Sequence, residues 1–164
     1  LAPNDILLDD DLDFVAYDLR EKNKELANNL RQLTESHSRL DKLNTGILKT
    51  LANTIDAKSP WTAGHSKRVT RIAVKIGKAL NLSEPQLKRL QHGGLLHDVG
   101  KIGISVAILD KPGKLTDEEY DTICQHPQIG QKILQPIEEF KDLLPLVVQH
   151  HERFDGKGYP HGLG

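Results

Sequence analysis

The 164-residue chain is poor in several things whose absence narrows its chemistry. It has one cysteine, Cys124, so no intrachain disulfide can form, and the sequence fits a reducing compartment. No apolar run approaches the roughly 18 to 20 residues of a membrane span, and no signal-peptide pattern opens the chain, so a cytoplasmic location without membrane contact is expected. No basic excess exists either. A formal net charge of -1 argues against duplex nucleic acid as the main ligand while leaving a small anion open. Methionine is missing altogether and the first residue is Leu1, which suggests an excerpt of a longer protein. No stretch alternates with the period of a strand, and the fold reads as all-α. What remains, 37% hydrophobic and 27% charged residues, is ordinary for a globular chain.

Residues 1 to 11, with Pro3-Asn4 and Asp9-Asp10-Asp11, read as a loop or the end of a preceding element. From Leu12 an aliphatic residue recurs at every seventh position, through Leu19, Leu26, Leu33 and Leu40 to Ile47, with Leu30, Leu43 and Leu51 partly filling a second seam. This is a coiled-coil pattern. A helix over 12–57 would already be on the order of 58 Å long by residue 50, more than one small domain can cover, so a parallel homodimer through this signalling helix is expected. Asn23, His37 and Asn44 fall in the weaker seam, where polar residues set register, and His37 is therefore not a ligand candidate.

Ser59-Pro60 ends that helix, and residues 59–164 form the second domain. In its first helix His65, Val69, Ile72 and Ile76 share one face at spacings of four, three and four, so His65 is expected to face the core. Leu87, Leu90 and Gly94 then lead into Leu95-Leu96-His97-Asp98-Val99-Gly100-Lys101, a histidine–carboxylate pair at the apolar end of a predicted helix, with Gly100 as its stop. A buried carboxylate there needs a partner, and a divalent cation is a strong one. Lys101, one turn on, suits an anionic substrate such as a phosphate. A His-Asp pair alone fits a satisfied core histidine equally well. Other histidines lie beside helix boundaries too. Thr116 and Glu119 make a capping box for a helix to about Gln125, His126-Pro127 ends it, and Pro145 opens a short helix leading to His150-His151. Asp155-Gly156-Lys157-Gly158-Tyr159-Pro160 is a loop of turn formers.

Five imidazoles and one carboxylate exceed a single tetrahedral site. Two ions bridged by Asp98 would use them all, and a ligand set without cysteine suits iron, manganese or zinc. Paired metals about 3.5 to 4 Å apart suit phosphoester hydrolysis.

The ordered series His97-Asp98 with Gly100-Lys101, His126-Pro127 with Gly130, His150-His151-Glu152 and then Asp155 to Pro160 resembles an HD-GYP domain of the HD superfamily of metal-dependent phosphohydrolases. The resemblance covers about residues 47 to 164. It implies an HD-type helical bundle holding two or three metals, most often iron or manganese, that hydrolyses the bacterial second messenger cyclic di-GMP to the linear dinucleotide pGpG or onward to GMP. It also implies control by upstream sensory or receiver domains through helical linkers. Carried over by position, His65, His97, Asp98, His126, His150 and His151 are metal ligands, Asp98 bridges, and Lys101 touches the scissile phosphate or the bridging hydroxide. Asp155, Gly156, Lys157, Gly158, Tyr159 and Pro160 border the substrate groove or a partner surface.

Two departures accompany the likeness. Trimetallic members carry a glutamate one turn before the first histidine, where this chain has Trp61, so two metals are expected. The family continues past the Gly-Tyr-Pro loop with a further aspartate ligand and basic contacts, whereas this chain ends at Gly164; that segment is expected in a longer parent. The rival readings are a catalytically silent module that binds a partner such as a diguanylate cyclase domain, and an HD hydrolase acting on another nucleotide.

Overall fold

The computed structural model describes residues 3–164, with side chains from residue 11 onward. Helix α1 (Pro3–Asp56) is followed by a 3-10 turn (Pro60–Thr62), α2 (His65–Ala79), α3 (Glu84–Leu96), a second 3-10 turn (Val99–Gly103) and α4 (Val106–Leu109). Then come α5 (Asp117–Cys124), α6 (His126–Leu134), a third 3-10 turn (Glu138–Leu143) and α7 (Leu144–Val148). No strand occurs among the described residues. The fold is all-α.

The chain divides into two compact units, Leu1–Asn44 and Thr45–Gly164. In the first, α1 is already helical from Pro3, so of the two readings of residues 1 to 11, a loop or the end of a preceding element, the loop does not hold from there on; residues 1 and 2 lie outside the described residues. Leu12, Leu19, Leu26, Leu33 and Leu40 are all more than half exposed. Nothing within that unit buries them. Local pairs such as Lys22 with Asp18 at 2.9 Å run along its surface, each contributing a few tenths of a kcal/mol at about the level of exposed helix pairs.

The second unit begins inside α1, whose last turns contribute Leu48, Ala52 and Ile55 to a core completed by Leu95, Leu96, Val99, Leu134, Leu143 and Val147. Two capping boxes start helices here. Ser83 and Gln86 satisfy the first turn of α3, and Thr116 and Glu119 that of α5, as their spacing predicts. Proline opens α6 and α7, where a missing N–H costs no ladder bond.

Helix α2 departs from its predicted face. Ile72 and Ile76 are more than half exposed, and the residues it buries are Ser66, Thr70 and Gly77. The reason is close packing: α2 lies against α3 so tightly that a small, polar stripe is what fits, with Ser66 bonded to Asp56 and the Thr70 hydroxyl donating to the Ser66 carbonyl. The histidine pair also sits differently from expectation. Helix α3 stops at Leu96, four residues before Gly100, so His97 is its C-cap and Asp98 leads the 3-10 turn.

Candidate metal centre

Every histidine of the predicted set sits at a helix end, and three repeat one local device. The Nδ1 atoms of His97, His126 and His150 lie 2.8, 2.7 and 2.8 Å from the carbonyl oxygens of Gly94, Ile123 and Val147, each three residues earlier. Those contacts assign the proton to Nδ1 in each ring, which leaves Nε2 as a lone pair aimed at the site. Where a helix ends, its last carbonyls have no ladder partner. A histidine placed just past the end satisfies one and is itself oriented.

The five histidines converge on Asp98, which is 3% exposed. Its two oxygens divide the work. Oδ1 faces His126 Nε2 at 3.3 Å and His150 Nε2 at 3.7 Å, while Oδ2 faces His97 Nε2 at 3.1 Å, His65 Nε2 at 3.6 Å and Lys101 Nζ at 2.8 Å. Two donor groups result, Asp98 with His126, His150 and His151, and Asp98 with His65 and His97, the donor atoms of each group lying within 4.8 Å of one another. Ligands about 2.0 to 2.2 Å from one ion sit about 3.0 to 3.4 Å apart on neighbouring positions, the spacing seen here at the shorter contacts. The Nε2 atoms of His126 and His150 are 3.1 Å apart. Two lone pairs that close repel unless a proton or a cation lies between them, so the donor set fits divalent metal. Trp61 is exposed and offers no ligand atom.

The electrostatics agree with a site built to hold cations. Burial works to raise the Asp98 pKa, but with a proton on Nε2 in place of a cation the rings of His126, His150 and His97 donate to it, outweigh burial and hold the carboxyl far below the usual carboxylate range. Burial likewise opposes the charge on His97, yet its bond to Asp98 raises the pKa above the ordinary value. His151 goes the other way, lowered to about 4 by burial and by neighbouring His150 and His126. Burial lowers His65 too. A cavity of about 430 Å³ opens on this cluster, walled on its far side by Val69, Leu90 and Leu146, with Lys101 at its rim.

Main-chain contact fixes the frame. A Cβ on Gly100 would fall 1.8 Å from the His126 carbonyl oxygen and 2.6 Å from the Gly130 nitrogen. The turn after Asp98 and the first turn of α6 therefore touch backbone to backbone, which reads Gly100 as a packing requirement more than a helix stop.

The loop after His151 stands partly apart. Asp155 pairs with Arg153 at 2.9 and 2.6 Å and accepts from the Lys157 amide, and neither it, Gly156 nor Lys157 joins the donor set. Tyr159 does reach the cluster, stacking on His151 with ring centroids 4.6 Å apart at an 18° angle. Glu152, which spacing alone did not single out, accepts the amides of His161 and Leu163 at 2.7 and 2.8 Å and closes the loop that carries Gly158, Tyr159 and Pro160.

Residues 49–164 match the HD domain family, to which this chain belongs. A 3'3'-cGAMP-specific phosphodiesterase 3 of Vibrio cholerae is 43% identical over 117 residues, covering 71% of this chain and 25% of that protein. The cyclic di-GMP phosphodiesterase response regulator RpfG of Xanthomonas campestris is 35% identical over 146 residues, 87% of this chain and 39% of the relative. A cyclic di-GMP phosphodiesterase of Thermotoga maritima is 39% identical over 121 residues, 71% of this chain and 32% of the relative. These relatives set the chain with the HD-GYP type, and it spans between a quarter and two fifths of their lengths. Among the described residues no helix is long and apolar enough to cross a membrane.

Proposed function

We propose that the chain is the hydrolytic part of a cytoplasmic, metal-dependent cyclic dinucleotide phosphodiesterase, with cyclic di-GMP as substrate and pGpG or GMP as product. One observation carries the reading: a buried carboxylate whose two oxygens each face a separate cluster of histidine nitrogens, beside an open cavity with a lysine at its rim. A ligand set of imidazole and carboxylate without thiolate favours two iron or manganese ions. When bound, such a pair supplies Lewis acidity toward a phosphate and lowers the pKa of water. His126 and His150 would hold one ion with Asp98 and His151, and His65 and His97 the other with the same carboxylate.

The protein's own groups do the rest. The Nδ1 bonds to Gly94, Ile123 and Val147 keep three imidazoles aimed before substrate arrives, so little reorganisation is needed at the moment of reaction. Lys101 pairs with Asp98 in the free protein, and its ammonium is placed to neutralise a phosphate oxygen entering the cavity. Tyr159, on the loop closed by Glu152, stacks on His151, which lines that cavity. The exposed heptad leucines of α1 are the surface on which a second copy would pair.

Two substrates differ here by one purine. The names of the relatives divide between cyclic di-GMP and 3'3'-cGAMP, so both dinucleotides belong in the assay. Chromatography of products from anaerobically purified protein reconstituted with iron or manganese, with metal content measured on the same sample, tests the reading. Turnover of cyclic di-GMP with about two metals per chain is expected. Faster turnover of 3'3'-cGAMP would reassign the substrate, and a metal-loaded protein that leaves both intact would make the domain a partner-binding module.

A further inference from the structure

The end of α1 and the turn after it touch both segments that carry metal ligands. Asp56, fully buried, accepts the backbone N–H of Ser66 at 3.1 Å and its hydroxyl at 2.7 Å, one residue past His65. Lys58 reaches the other segment. Its Nζ donates to the carbonyl oxygens of Lys101 at 2.9 Å and Ile102 at 2.7 Å, and to that of Ile104. An ammonium has three donors, and all three are used on main chain.

The three acceptors lie near the end of the 3-10 turn Val99–Gly103 and on the residue after it, a short helix's C-terminus that favours positive charge. Besides its own 3-10 bonds and its contact with α6 at Gly100, the turn is closed at its ends by the Lys101 amide donating to the Asp98 carbonyl at 2.9 Å and the Ile104 amide to that of Lys101 at 3.1 Å. Lys101 is thus gripped by its backbone from behind while its side chain spans forward to Asp98 Oδ2. We propose that Lys58, which touches neither the ligand cluster nor the cavity, is a positioning residue that holds the Asp98–Lys101 turn and thereby aims the Lys101 ammonium. The inference rests on the phosphodiesterase reading for its kinetic consequence and on the turn's geometry for its structural one.

Two kinds of measurement on the full chain separate these. With cyclic di-GMP, K58M should lose about tenfold or more in kcat, with KM and metal content unchanged, since a side chain misplaced by about 1 Å costs up to a hundredfold. K58R, which still offers N–H donors to the carbonyls, should recover most of the loss. The double variant K58M/K101M should be no slower than K101M, because the first substitution acts through the second residue. By hydrogen exchange, the amides of Lys101 and Ile104 should exchange at least about tenfold faster in K58M, with α3 and α6 unchanged. Wild-type kcat in K58M alongside a lowered melting temperature, or losses that multiply in the double variant, would overturn the assignment. If the wild-type protein hydrolyses neither dinucleotide, the exchange rates still decide: unaltered protection at Lys101 and Ile104 sinks the role of Lys58, and selective loss upholds it.

Discussion

Helix α1 uses the same residue type in two ways. Leu26 and Leu33, on its seven-residue repeat, are more than half exposed, whereas Leu48, off that repeat and a few turns later, is 1% exposed. Helical periodicity therefore marks which residues share a face, and only a neighbouring element decides whether that face is buried. In the unit from Thr45 onward the neighbours are α3, α6 and α7; in the unit up to Asn44 nothing in the same unit plays that part. The difference separates a face that its own unit leaves exposed from one that its own unit buries.

Asp98 gives the largest expected effect. Asp98→Ala should remove tight binding of the metal pair and lower turnover by at least about a thousandfold, because both donor groups lose their shared member. Metal content by elemental analysis beside the hydrolysis rate checks it, and unchanged activity would end the bridging assignment. Next comes the core. Leu96→Ala should cost about 2 to 5 kcal/mol in urea denaturation, the range for buried leucines. Leu26→Ala should cost the compact unit less than about 0.5 kcal/mol, as exposed substitutions do. Leu33→Glu sharpens the contrast further: sedimentation should show a shift toward monomer with the thermal midpoint of the compact unit preserved, and an oligomeric state indifferent to that change would argue that the seam has no partner helix.

The last test is a pH dependence. Burial, with His150 and His126, puts the folded-state pKa of His151 at about 4, below the 6.5 of an unperturbed histidine. As pH falls from about 6.5 toward 4, the unfolded chain takes up a proton the folded one refuses, so this group's contribution to stability is lost across that window. In metal-free protein, His151→Gln should flatten the fall in urea midpoint between pH 7 and pH 5. A slope identical to wild type would place the titration elsewhere in the cluster.

Much of the site's composition was readable from spacing. His65, His97, Asp98, His126, His150 and His151 each flank a break in periodicity, and the structure brings the five histidines around the one carboxylate. The division of labour between Oδ1 and Oδ2 was not readable, since it depends on where the His126 and His65 segments meet in space. Ile72 and Ile76 misled for a related reason: apolar spacing predicted a buried face, but the approach of α2 to α3 favours the stripe of Ser66, Thr70 and Gly77. Lys58 gave no signal at all. A lysine near a helix end ordinarily reads as solvated, and only the position of three carbonyls more than forty residues later assigns it a task.

The contact of Gly100 with His126 has a consequence for how such a protein can change over generations. Because two ligand-bearing segments meet main chain to main chain, the interval between their ligands is gauged by peptide groups that every sequence shares. Leu96 or Val147 can be exchanged for another hydrophobic residue of similar volume, and the interior can drift and repack, without resetting that gauge. A lineage is then free to alter its surface and much of its interior while the spacing of the two histidine-bearing segments stays the same, as long as one position keeps no side chain.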